Sequence, residues 1–203
     1  MSLPVAHDLP VERGLTVADL EAMPDDHLRR ELIDGELYVT PPPIIPHQSS
    51  VMAIAYALET YVRAHGGRVW PAPTGVRLSE VTQVEPDVVV LAADSVARMD
   101  DHRHLTFAPD LLVEVSSPST RRLDLIKKRG LYERVGVPEY WFVDLDADVV
   151  DVYRLGADGH YGEPETVERG GRLTCSQLPG LDVNVDEVLG PPHSEQGPPG
   201  EAR

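Results

Sequence analysis

Two short runs constrain this chain more than anything else in it: Asp87 to Leu91 (DVVVL) and Leu111 to Val115 (LLVEV). Runs this short, apolar on both faces and rich in valine, fit strands covered on both sides, so the sheet that holds them needs layers above and below. Each run carries one carboxylate. Asp87 follows Pro86 at the head of the first, and Glu114 stands one residue before the end of the second. Burying a carboxylate among such neighbours costs several kcal/mol unless it is paired or binds a cation. Two of them on neighbouring strands would converge as oxygen ligands for Mg²⁺ or Mn²⁺. The alternative is an ion pair between Glu114 and an arginine of the next helix, with Asp87 merely ending a loop.

The flanking sequence supplies the covering layers. Thr16 and Asp19 form a capping-box pattern ahead of a short helix that stops before Pro24. Leu28 to Thr40 reads as a hairpin turning at Asp34-Gly35 and stopped by Pro41-Pro42-Pro43. From about His47 to Ala64, Val51, Ile54, Leu58 and Val62 recur at helical spacing, and Gly66-Gly67 closes the segment. Arg68 to Trp70 and Gly75 to Leu78 are short strand candidates. Ser119 or Thr120 can cap a helix from about Arg121 to Arg134, ended by Gly136 and Pro138, and the stretches 140–143 and 149–154 read as a strand pair. Alternating strands and helices predict an α/β fold with a mixed central β-sheet flanked by helices. Residues 15–189 form the expected domain, after an N-terminal extension (1–14) and before a proline-rich, disordered tail (190–203).

Charge narrows the partners. Against 18 Lys and Arg stand 34 Asp and Glu, a net of −16, so the mean field repels phosphate and anionic membrane alike. Locally the balance inverts: the helix from Arg121 to Arg134 carries six basic and two acidic residues, including Lys127 and Lys128, the only lysines of the chain. The global charge therefore does not exclude a nucleic-acid partner, and any such binding is expected to be weak, metal-dependent, salt-sensitive and confined to one face. The single cysteine, Cys175, excludes an internal disulfide and a multi-cysteine zinc site. The first residues lack the pattern of a secretory signal, and no apolar stretch approaches the roughly 20 residues that span a bilayer. A cytoplasmic protein with no membrane partner is expected.

Several stretches, taken in order, carry a resemblance. They are RRELIDGELYVTPPP (Arg29 to Pro43), His47-Gln48, VEPDVVVL (Val84 to Leu91), PDLLVEVSSPST (Pro109 to Thr120) and YERVGVPEYWFVD (Tyr132 to Asp144). Together they resemble the Uma-type restriction endonuclease family of the PD-(D/E)XK nuclease superfamily. The resemblance implies a restriction-endonuclease-like core and an endonuclease that hydrolyses DNA phosphodiester bonds. It also implies that Asp87, Glu114 and the carbonyl of Val115 hold Mg²⁺ or Mn²⁺. By analogy with restriction enzymes, which need two sites to cut two strands, a homodimer is expected. The superfamily places a lysine two residues after the glutamate, where this chain has Ser116.

Lys128 is the candidate replacement. Asp124, Lys128 and Tyr132 fall at i, i+4 and i+8 and share one helix face. A lysine suits a compact charge meeting a metal-bound water, where arginine would serve any solvated position. The bland alternative is a surface i, i+4 pair of Asp124 with Lys128. Lys127 reads as a phosphate contact or plain surface. Glu31, in the hairpin, can enter the site as a third carboxylate or pair with Arg29 or Arg30. His47 reads first as a capping or buried hydrogen-bonded histidine, Gln48 as a cap or phosphate contact, Tyr140 and Trp141 as core, and the His102, Arg103, His104 cluster as a solvated loop. The rival functional class is a non-catalytic binding or regulatory module that keeps the nuclease fold.

Overall fold

The computed structural model describes residues 10–26, 28–99, 103–117 and 119–191. In chain order the elements are β1 (Glu12–Arg13), α1 (Val17–Glu21), β2 (Arg29–Ile33), β3 (Glu36–Thr40), α2 (Ile45–His65), β4 (Arg68–Pro71), β5 (Val76–Ser79), β6 (Thr82–Val84), β7 (Val88–Leu91), α3 (Ala93–Val96) and β8 (Leu111–Val115). A π-helical segment, Leu123–Lys128, runs directly into α4 (Arg129–Val135), followed by β9 (Glu139–Asp144), β10 (Val149–Arg154), β11 (Glu165–Glu168), β12 (Arg172–Cys175), β13 (Leu178–Asn184) and α5 (Val185–Leu189).

The central sheet has six strands in the order β11-β10-β9-β8-β7-β4. Only the β8–β9 pair is parallel, so the sheet is mixed as the alternation predicts. Side chains alternate across it. Val88, Val90, Val113, Val115, Trp141 and Val143 face a core shared with α2, α5 and the β12–β13 ribbon. Val89, Leu91, Leu112, Tyr140 and Phe142 face the opposite core, built with Leu123, Leu131 and Tyr132 and with Ile33 and Tyr38 of the β2–β3 hairpin. The hairpin turns at Asp34 and Gly35, with φ of 52° and 77°, the left-handed pair a two-residue turn requires. It belongs to a second sheet, ordered β1-β3-β2-β6-β5.

Of the expected N-terminal extension, Glu12 and Arg13 pair with Leu37 and Glu36. Residues 1–9 and the tail from 192 onward lie outside the described residues. Among the described residues no helix is long and apolar enough to cross a membrane.

α2 ends in the left-handed Gly66, and Gly67 then lets the chain pass close against β7. A Cβ at Gly67 would lie 2.5 Å from the carbonyl oxygen of Leu91 and 3.1 Å from Val62, whereas a Cβ at Gly130 in α4 would meet nothing. Gly67→Ala should therefore lower stability by about 1–3 kcal/mol, and Gly130→Ala should raise it by about 0.5–1 kcal/mol. Urea midpoints measured at constant m-value check both signs.

Candidate active site

The register of β7 and β8 assembles the centre of the site. Val88 pairs with Val113, Val89 with Leu112 and Val90 with Leu111, so one further step sets Asp87 opposite Glu114. Asp87 shares the parity of Val89 and Leu91, and Glu114 that of Leu112, so both carboxylates turn to the face covered by α4 and the hairpin. Glu31 reaches the same point from β2, while Asp124 and Lys128 come from the π-helical segment. A π turn closes i to i+5 rather than i+4, and such turns concentrate at functional sites. Here the N–H of Arg129 donates to the carbonyl of Asp124.

Four carboxylates are buried together: Glu31, Asp87, Glu114 and Asp124, each no more than 3% exposed. The Lys128 ammonium, itself 2% exposed, lies 2.8 Å from Glu31 Oε1, 2.9 Å from Glu114 Oε1 and 3.6 Å from Asp124 Oδ1. The surface-pair alternative for Asp124 and Lys128 is thereby excluded. Tyr132 donates its hydroxyl to Glu114 Oε1 at 2.6 Å, so the i, i+4, i+8 face converges on Glu114. Asp87 has its own set of donors. Arg29 Nη1 lies 3.0 Å from Oδ1, His47 Nε2 lies 3.1 Å from Oδ2, and the N–H of Val115 donates to Oδ2 at 2.9 Å. Arg29 also donates to the Glu85 carbonyl.

The charges follow from these contacts. Burial alone would raise Asp87, but the His47 hydrogen bond and the charges of Arg29 and Lys128 outweigh it and hold the carboxyl well below the usual range. Burial pushes Glu114 up to about 8, against the pull of Lys128, with Asp124, Asp87 and Glu31 adding to the rise. Burial likewise brings Asp124 to about 6. For Lys128, burial favours the neutral amine, yet Glu114, Glu31 and Asp124 prevail and keep it an ammonium above its ordinary range.

A cleft of about 250 Å³ opens onto this cluster, with Arg29, His47, Asp87, Glu114, Asp124 and Lys128 in its lining. Its rim is the turn from Thr40 to Ile44 on one side and Ser117, Ser119 and Thr120 on the other. Ser116, at the position of the missing strand lysine, is buried, and its hydroxyl accepts from the N–H of Leu145 at 2.9 Å.

Other residues depart from expectation in instructive ways. Glu31 pairs with Lys128 rather than with either neighbouring arginine; Arg30 turns away to Asp26. His47 is the buried, hydrogen-bonded histidine expected, and its partner brings it into the site. Gln48 lies on the exposed face of α2 with Met52 and Tyr56, outside the cleft lining. Arg29 escaped sequence reasoning as a partner of Asp87, although it sits two residues before Glu31 and shares its strand face. Lys127 is exposed and pairs with Glu36 at 3.2 Å. The basic face expected of the helix is thereby reduced: Lys128 is buried, Arg121 pairs with Asp144, and Arg134 pairs with Asp34. His102 lies outside the described residues, His104 stands 3.7 Å from Glu21, and Cys175 is buried, its thiol pushed up to about 12 by burial.

With this geometry in hand, comparison with known proteins is informative. Residues 17–186 match the Uma2 family, described as "Putative restriction endonuclease". The chain belongs to this family. A similar solved structure is described as "a putative nuclease belonging to DUF820" from Anabaena variabilis ATCC 29413. It is 19% identical, with a TM-score of 0.74 over 86% of this chain and 97% of that one. That likeness establishes the restriction-endonuclease-like fold. A comparison with curated proteins gives no match.

Whether these residues suit a divalent cation can be asked of the cluster itself. With all four buried carboxyls ionised, the two cations Arg29 and Lys128 leave a deficit of two positive charges; while Glu114 keeps its proton, below about 8, the deficit is one. Glu31 Oε2 is buried with no hydrogen-bond partner among the described residues. A hard, oxygen-bound divalent ion matches both the deficit and the donor type. The cluster as it stands is closed by its own cations: among the described residues no three His, Cys, Asp or Glu groups are placed to hold one ion.

Because Glu114 binds its proton more tightly when folded, the native state carries more protons than the unfolded chain between about 4.3, where free glutamate titrates, and about 8. Stability should therefore fall as pH rises through that window in metal-free protein. Glu114→Gln should flatten this part of the pH profile, read as thermal midpoints from pH 5 to 8.5.

Proposed function

We propose that the protein is a metal-dependent endonuclease that hydrolyses DNA phosphodiester bonds with Mg²⁺ or Mn²⁺. The observation that carries this reading is the convergence of Asp87, Glu114, Glu31 and Lys128 at adjoining strand ends under an open cleft, in a chain of a restriction-endonuclease family. Asp87 and Glu114, with the carbonyl of Val115, would hold the ion. When bound, it would supply polarisation of the scissile phosphate and a lowered pKa for a water.

The chain's own groups do the remaining work. Lys128, kept charged by its carboxylates, offers three donors on a compact ammonium and orients the attacking water. Glu31, with one oxygen on Lys128 and the other without a partner among the described residues, accepts a hydrogen bond from that water. Tyr132 fixes the rotamer of Glu114. Cutting both strands takes two such sites, so the active form is a homodimer, a state that light scattering would report.

Asp87→Ala and Lys128→Met should each slow nicking of supercoiled plasmid with Mg²⁺ or Mn²⁺ by about 10²–10⁴-fold. Nicking by Asp87→Ala at the wild-type rate would overturn the assignment. Since most basic groups of the helix are ion-paired, few phosphates should be neutralised. The slope of log K against log salt for a DNA duplex should then be about −1 to −3.

One observation favours the rival reading of a non-catalytic module: the ammonium of Lys128 already bridges Glu31 and Glu114. A module of that kind would take up no Mn²⁺ in calorimetry and would nick no plasmid.

A further inference from the structure

The two cations of the cluster are not equivalent. Lys128 is 2% exposed and locked among three carboxylates, whereas the Arg29 side chain keeps 22% of its surface open. Arg29 lines the cleft from β2 and holds Asp87 Oδ1 at 3.0 Å. Its Nε is buried without a hydrogen-bond partner among the described residues, 4.0 Å from Glu85. Its grip on Asp87 is one-sided, because Oδ2 is served separately by His47 and by the N–H of Val115. Removing the guanidinium would leave Asp87 held in place by those two donors, with one oxygen facing the cleft.

We propose that Arg29 is an exchangeable counter-ion, which neutralises Asp87 until a divalent cation takes that carboxylate and then turns its guanidinium to a phosphate of the substrate. The inference rests on the reading of Asp87 as a ligand and goes beyond it by assigning a role to a residue outside the expected ligand set. A guanidinium within 3.0 Å of Oδ1 repels a second cation on the same oxygen, so the two compete. Once displaced, Arg29 has only short distances to cover: the cleft lies beside it, and its planar fork is suited to two oxygens of one phosphate. Lys128 cannot make the same move without stranding three buried carboxylates. Arg29 is thus a positioning residue for the substrate and a brake on metal loading.

The two roles predict opposite signs in one variant. Arg29→Gln should bind Mn²⁺ about tenfold more tightly than wild type by titration calorimetry, and should bind a 20-base-pair duplex about tenfold more weakly in saturating Mn²⁺ by fluorescence anisotropy. A purely structural arginine would move both affinities in the same direction or neither. Arg29→Lys keeps the charge but loses the fork, so it should hold Mn²⁺ affinity between the two while still weakening the duplex. If Arg29→Gln does not fold by circular dichroism, unchanged Mn²⁺ and duplex affinities in Arg29→Lys overturn the proposal. Asp87→Ala separates the two levels. Mn²⁺ uptake that is lost in Asp87→Ala but is no tighter in Arg29→Gln sinks the exchange alone. Uptake absent from wild type, or equal in wild type and Asp87→Ala, sinks the reading of Asp87 as a ligand.

Discussion

The ammonium of Lys128 is the interaction on which the rest of this structure depends. It joins three elements distant in sequence: β2 through Glu31, β8 through Glu114, and its own helix through Asp124. Without it, three carboxylates would be buried against one another in a protein that already carries a net charge of −16. Removing one partner of a buried ionic group costs on the order of 3–5 kcal/mol, because the partners remain buried and unpaired. The two hydrophobic cores bring the strands together, but they do not choose which charges meet. Sheet parity and Lys128 make that choice.

The layers divide the work accordingly. α2 packs on one face of the central sheet and delivers His47 from its first turn to Asp87. The helix 121–135 packs on the other face and delivers Asp124, Lys128 and Tyr132 to Glu114. Behind Tyr132, the rings of Tyr140, Tyr153 and Tyr161 follow at centroid separations of 5.2, 5.7 and 5.9 Å. They form an aromatic row that backs the helix against the sheet. The hairpin closes the site from the second sheet. A site assembled from so many elements is held by packing rather than by any one loop, which suits chemistry that requires fixed distances.

Much of this was legible from residue order. Valine-rich runs without alternation demanded a doubly covered sheet, Asp34-Gly35 demanded a tight turn, and a carboxylate inside each run demanded a partner. The pairing of Asp124 with Lys128 was visible as helical spacing, although burial rather than solvent surrounds it. In the outer sheet, β5 lies where the Gly75 to Leu78 candidate predicts a strand. Less legible were β1 and β6 of that sheet, the β12–β13 ribbon and α5. Their sequences are short and polar on one face, and they acquire shape only against a core built elsewhere. The basic helix shows the same limit. Its charge was countable, but its neutralising partners Glu36, Asp34 and Asp144 sit on strands and turns that only folding brings near.

By itself the sequence determined the element types, the family, and the inventory of ionisable groups available to a site: Asp87, Glu114, Glu31 and Lys128. The element types and the two strand carboxylates follow from local physics, namely hydrophobic period, turn chemistry and the cost of a carboxylate in a strand; the family, and with it the candidacy of Glu31 and Lys128, follows from the resemblance of the ordered motifs. Which charge answers which was decided by the tertiary structure alone. Arg29 could have paired with its neighbour Glu31, yet it holds Asp87, 58 residues away. Lys128 could have lain on the surface beside Asp124, yet it is buried against two strands. Coulomb attraction depends on distance and on the surrounding dielectric, and neither exists until the sheet, the helix and the hairpin have closed on one another.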